Sequence, residues 1–133
     1  MTLNESEARS LLRLPSAGLD PVNAATRLRA LGARKVIIKL GARGSLLLAD
    51  GADPAFVVAH RVAAVDTTAA GDCFNGAFAA ALSGGATPLD AARFASAASA
   101  LEVIRTGASD AMPYRAEIEH FASLAAPSAA AIP

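Results

Sequence analysis

Val65-Asp66-Thr67-Thr68-Ala69-Ala70-Gly71-Asp72-Cys73-Phe74-Asn75-Gly76-Ala77-Phe78 is the stretch on which the reading of this chain turns. A hydroxyl-rich turn leads through small residues into Gly71-Asp72. From there the spacing is helical, with Phe74, Ala77, Phe78, Ala81 and Leu82 at steps of three and four. Small residues at a helix start let unpartnered backbone N–H groups approach an anion closely. On spacing alone Asp72 is an ordinary first-turn acid favoured by the helix dipole. Beside an anion hole the same carboxylate is placed to take a proton from a hydroxyl attacking a phosphoryl group.

Upstream, Val36-Ile37-Ile38-Lys39-Leu40 is a short apolar run suited to a buried strand. A helix through Ala25, Leu28 and Leu31, capped by Asp20 or Asn23 and stopped at Gly32, precedes it. That order argues for one αβ repeat of a mixed or mostly parallel sheet. Gly41-Ala42-Arg43-Gly44 then turns the chain into Ser45 to Ala49, as a hairpin would. It is no dinucleotide fingerprint, because the G-x-G spacing is missing and no helix follows. Phe56 to Ala59 and Arg61 to Val65 read as further short strands. At the start, Asn4 and Glu7 have capping-box spacing ahead of a helix through Ala8, Leu11 and Leu12, and Leu14 to Gly18 breaks that pattern. Downstream, Ser83-Gly84-Gly85 is a stop, and Thr87-Pro88 opens an alanine-rich helix towards Leu101. Pro113 to Phe121 suggests a closing helix, and residues 125–133 read as a disordered tail.

At 133 residues the chain suits one domain with a modest core. Twelve Lys plus Arg balance twelve Asp plus Glu, which gives no support for nucleic-acid binding. No apolar run approaches the roughly 20 residues that span a bilayer. Glu5, Glu7 and Arg9 stand where a signal peptide would carry its apolar segment, so a cytoplasmic protein is expected. Cys73 is the single cysteine, which leaves no internal disulfide and reads as a small packed residue.

The Asp66 to Leu82 stretch resembles the second signature of the PfkB, or ribokinase-like, family of sugar and nucleoside kinases. Asn4-x-x-Glu7 is similar to that family's N-x-x-E motif, and Lys39 to Gly44 to its K/T-L-G-x-x-G turn, all in the family's order. The resemblance covers about Asn4 to Ile118 and is closest to ribokinases. It implies an α/β fold, the ribokinase-like three-layer sandwich, here as the C-terminal half over residues 1–125, without the lid and the N-terminal sugar-binding half. It further implies ATP-dependent phosphorylation of a sugar hydroxymethyl group, with Mg2+ and K+ as cofactors. Asp72 would be the base, and Ala69, Ala70 and Gly71 would offer backbone N–H groups to the transferred phosphoryl. Asn4 and Glu7 would orient Mg2+ and phosphate. Lys39, Gly41, Arg43 and Gly44 would lie along the nucleotide, with Ser96 near the base where many ribokinases carry His. Asp66, Thr68, Glu102, Arg105, Gly107 and Ala111 would surround K+, mostly through carbonyls. A chain lacking the other half is expected to self-associate or to pair with it. The alternatives are a non-catalytic nucleotide-binding or interaction domain derived from such a kinase, or a relative acting on fructose, ketodeoxygluconate or a nucleoside.

Overall fold

The computed structural model describes residues 1–15 and 18–124. The pattern break at Ser16-Ala17 and the tail expected over residues 125–133 therefore lie outside the described residues. Strand β1 (Thr2–Asn4) runs directly into helix α1 (Glu5–Leu12). Helix α2 (Pro21–Ala30) returns the chain to β2 (Lys35–Lys39). A 3-10 turn (Gly41–Arg43) connects β2 to β3 (Ser45–Ala49), and β4 (Ala55–Val57) follows. Helices α3 (Ala70–Ser83), α4 (Pro88–Val103) and α5 (Arg115–Leu124) complete the chain.

The sheet order is β1-β2-β3-β4. The β1–α1–α2–β2 unit makes a parallel pair, with Thr2 opposite Ile37 and Asn4 opposite Lys39. The pairs β2–β3 and β3–β4 are antiparallel, so the sheet is mixed. Because side chains alternate along a strand, the continuous apolar runs of β2 and β3 need cover on both faces. On one face Val36, Ile38, Leu46 and Leu48 pack with Ala8 and Leu12 of α1 and Ala24, Ala25 and Leu28 of α2. On the other, Ile37, Leu47 and Val57 pack with Phe74, Phe78 and Ala81 of α3 and Ala91, Ala92 and Ala95 of α4. The result is three layers, helix, sheet and helix. A third cluster of Cys73, Ala97, Ala98, Leu101 and Ile118 seats α5 on α3 and α4.

The helix termini follow local chemistry. Asn4 Oδ1 accepts the Glu7 N–H at 2.8 Å, and Glu7 Oε2 accepts the Asn4 N–H at 2.7 Å, a complete capping box. Asp20, not Asn23, caps α2, accepting the N–H groups of Val22 and Asn23. Thr87 caps α4 ahead of Pro88.

One expectation is corrected, and two apolar side chains of the expected helices face outward. Residues 61–65 form no strand; the N–H groups of Val65 and Asp66 both donate to the Val103 carbonyl, at 2.6 and 3.1 Å, so the chain leaves the sheet to reach the end of α4. Leu11, on the outward side of the short α1, is 50% exposed. Leu31 is 71% exposed because it is the C-cap of α2, past the buried stripe.

Two outcomes follow from this packing. Gly44 has φ +108°, and a Cβ there would collide with the Val57 carbonyl and stand 2.8 Å from the Ala59 amide. Gly44→Ala should cost at least about 1–3 kcal/mol of stability through backbone strain, read as a lowered urea midpoint; an unchanged midpoint would remove the close approach. Cys73 is buried and its thiol is pushed up to about 11, by burial first and then by the charge of Glu102. At pH 8 the native thiol should react with Ellman's reagent ~10²-fold more slowly than in the unfolded chain, from its thiolate fraction alone.

Candidate active site

Helix α3 begins without a side-chain cap, since its N-cap residue is Ala69. Among the described residues the N–H groups of Gly71 and Asp72 donate to nothing, while the Ala70 N–H makes a long 3.4 Å contact with the Thr67 carbonyl. Open donors and the positive end of a fourteen-residue helix together suit an anion. Asp72 is exposed at the rim of this opening. Ala69 itself is buried, with its amide near the Glu102 carboxylate but outside hydrogen-bond geometry.

The sheet delivers a cation to the same place. Lys39 ends β2 on the α3 side, next to Asn4 on the neighbouring strand. Its Nζ donates to Asn75 Oδ1 at 3.2 Å and approaches the Gly71 carbonyl at 3.5 Å. A Cβ on Gly71 would stand 3.3 Å from that ammonium, so the residue at the helix opening is held small by the lysine as well as by any ligand. Beyond Lys39, Gly41 adopts φ +59°, which glycine takes without cost. Asn4, Lys39, Gly41 and Gly71 thus gather at one end of the sheet. Arg43 is turned away to Glu5, at 2.6 Å. Glu7 spends one carboxylate oxygen on the capping box and keeps the other without a partner among the described residues.

From the far side, α4 braces the opening. The Ser99 hydroxyl donates to the Ala70 carbonyl at 3.0 Å. Ser96, one turn earlier, is buried. Ser99 and Asn75 were not among the residues picked out by sequence. Their signal was a lone polar side chain on an otherwise small or apolar helix face, one turn from Ser96 and Asp72.

A second cluster lies behind the first. Asp66 Oδ1 accepts the Thr68 N–H at 2.9 Å and the Thr68 hydroxyl at 2.6 Å, while Oδ2 accepts the Gly107 N–H at 3.4 Å. These bonds hold the Asp66 carboxyl below the usual carboxylate range, the Thr68 hydroxyl contributing most. The carbonyls of Asp66, Thr68, Arg105, Gly107 and Ala111 accept no hydrogen bond among the described residues. In Glu102 the carbonyl accepts the Arg105 N–H at 2.9 Å with one lone pair. Its carboxylate is fully buried with both oxygens unbonded. Burial, then the charge of Asp66, raises that carboxyl, and the Ala69 amide offsets the rise only in part. The Arg105 guanidinium is engaged elsewhere, with Glu117 at 2.6 Å.

Residues 1–115 match the pfkB family of carbohydrate kinases. The ribokinase of Schizosaccharomyces pombe is 42% identical over 120 residues, a match covering 87% of this chain and 38% of that protein. The Thermotoga maritima ribokinase structure superposes with a TM-score of 0.83 at 43% identity, covering 92% of this chain and 41% of the other. The Arabidopsis thaliana ribokinase, solved with ribose and ATP, gives 0.83 at 35% identity, covering 90% and 39%. The chain thus spans about 40% of the length of the ribokinases it matches. With its layered fold, its motifs in order and its likeness to these enzymes, the chain belongs to the pfkB family of carbohydrate kinases.

Proposed function

We propose that this chain is the ATP-side part of a kinase that transfers the γ-phosphoryl of ATP to a sugar hydroxymethyl group, ribose being the first substrate to test. One observation supports this most: the uncapped start of α3, with Asp72 at its rim and Lys39 brought to Gly71 by the sheet. A loose phosphoryl-transfer transition state needs positioning and charge stabilisation more than covalent help. The Gly71 and Asp72 amides would bind the transferred phosphoryl oxygens, and the Lys39 ammonium would neutralise charge beside them. Asp72 would accept the proton of the attacking hydroxyl. Ser99 would hold the Ala70 carbonyl so that the opening keeps its shape.

Among the described residues no three acidic, His or Cys side chains gather to hold a metal. Mg2+ would arrive on the nucleotide, largely hydrated, with the free oxygen of Glu7 reaching it through water. The unbonded carbonyls of Asp66, Thr68, Arg105, Gly107 and Ala111 fit a large cation such as K+, which such dipoles coordinate in place of water. Gly41 and Gly44 would lie along the nucleotide, with Ser96 towards its base. The place of action would be the cytoplasm; no helix among the described residues is long and apolar enough to cross a membrane. The outer edge of β1 is where a further strand would pair, from a second polypeptide segment or another copy. The short span relative to the matched ribokinases favours one other reading, a nucleotide-binding domain that has kept the site without turnover.

The test is a coupled ADP-release assay with ribose, Mg2+ and K+, run on this chain and on this chain supplied with the N-terminal part of a ribokinase. The chain alone should release no ADP in response to ribose. The assembled enzyme should, and Asp72→Asn should lower its turnover by roughly 10²–10⁴-fold, with ATP binding unchanged. Full turnover in that variant would take Asp72 out of the mechanism. Calorimetric titration separates the second role: Lys39→Ala should weaken ATP binding by about tenfold, roughly 1.4 kcal/mol, whereas equal affinity would place Lys39 outside the site. An assembled enzyme that binds ATP without turning over any sugar would favour the non-catalytic reading.

A further inference from the structure

The Lys39 ammonium keeps its charge. Among the described residues it forms no ion pair. Its polar contacts are the Asn75 amide oxygen at 3.2 Å and the Gly71 carbonyl at 3.5 Å. Ser45 faces Lys39 across the β2–β3 pair, yet its buried hydroxyl makes no hydrogen bond. Among the described residues Asn75 is therefore the one side chain that fixes the end of this lysine. A lysine stem is flexible, with about 2 kcal/mol of rotamer entropy, and its ammonium offers three donors. One goes to Asn75 and one leans on Gly71, which leaves the third for a ligand. An ammonium cannot accept, so the amide oxygen of Asn75 is the atom turned towards it. Asn75 lies one turn beyond Gly71 on α3, and it draws Nζ alongside the open N–H groups of Gly71 and Asp72.

We infer that Asn75 is a positioning residue of the transfer site, holding the Lys39 ammonium at the start of α3 without neutralising it. The inference rests on the ATP-side reading above and gives Asn75 a part in it. The amide is the group that suits this part. A carboxylate in its place would hold the lysine more tightly and cancel its charge. It would also stand as a second anion beside Asp72, repelling the phosphates. An apolar side chain of the same size would leave the ammonium free to move among its rotamers. An amide oxygen accepts the hydrogen bond as a dipole, so the formal charge remains for a phosphate. A cation held in this way needs no reorganisation when the ligand arrives.

Calorimetric titration of the chain with ATP and Mg2+, and with adenosine as an uncharged probe, tests this without any activity measurement. Asn75→Leu, close in volume and a good helix former, should weaken ATP binding about fivefold. Asn75→Asp should weaken it at least about tenfold. Adenosine affinity and the thermal midpoint should stay at wild-type values in both, which a general packing defect would not allow. In a Lys39→Ala background Asn75→Leu should have no further effect, because the amide acts through the lysine. If Asn75→Leu weakens ATP binding by the same factor with and without Lys39, the amide meets the nucleotide by itself and the inference fails. Wild-type ATP affinity in Asn75→Asp would equally overturn it, and in either case the ATP-side reading stands. If the wild-type chain binds ATP no more tightly than adenosine, the anion opening falls and the inference falls with it.

Discussion

The pairing of β2 with β3 is the constraint on which the other arrangements depend. Ile37 lies opposite Leu47, and Ile38 opposite Leu46, so each strand presents one apolar set to α1 and α2 and the other to α3 and α4. A slip of one residue would exchange the two sets. It would also carry Lys39 from the α3 side to the α1 side. The position of an ammonium beside the start of α3 is therefore fixed by strand register, far more firmly than a loop residue could be. The parallel pairing with β1 then sets Asn4 beside Lys39, so three distant parts of the chain converge at one sheet end.

Charge is unevenly distributed about α3. At its mouth the donors are unspent and a lysine is already present, with Asp72 open to solvent. One turn inward the sign reverses, with Asp66 held by Thr68 and Gly107 and Glu102 buried without a hydrogen-bond partner. The Ala69–Ala70 step separates the two. The Ala69 amide lies near the Glu102 carboxylate, and the Ala70 carbonyl is held by Ser99. The small side chains here leave the backbone as the main polar surface, which suits recognition of simple ions.

Much of this was legible from residue types and spacing. The Asn4–Glu7 box, the Asp20 and Thr87 caps, the apolar run of β2 and the α3 periodicity are local properties, and each formed where its chemistry pointed. Features set by distant contacts were not legible. Residues 61–65 have the composition of a strand, yet the acceptor that captures Val65 and Asp66 is a carbonyl some forty residues away. The ion pair of Arg43 with Glu5 joins residues 38 apart in the chain, which spacing could not show. Ser99 and Asn75 carry no motif, and their partners appear only once α4 and β2 are packed against α3. Glu102 was picked out for its main chain, because the sequence could not show that its side chain points inward without a partner.

Helix α4 touches both charged regions at once. Ser99 bonds to the turn before the anion opening, and the Val103 carbonyl holds the Asp66 turn. Four residues of helix separate these anchors, a rise of about 6 Å. The alanines between α4 and its neighbours are wholly buried and leave no slack for sliding. Helix α4 thus works as a ruler, its pitch setting the gap between the two turns. A one-residue deletion between Ser99 and Val103 would leave every charged side chain in the sequence while rotating one anchor out of line with the other.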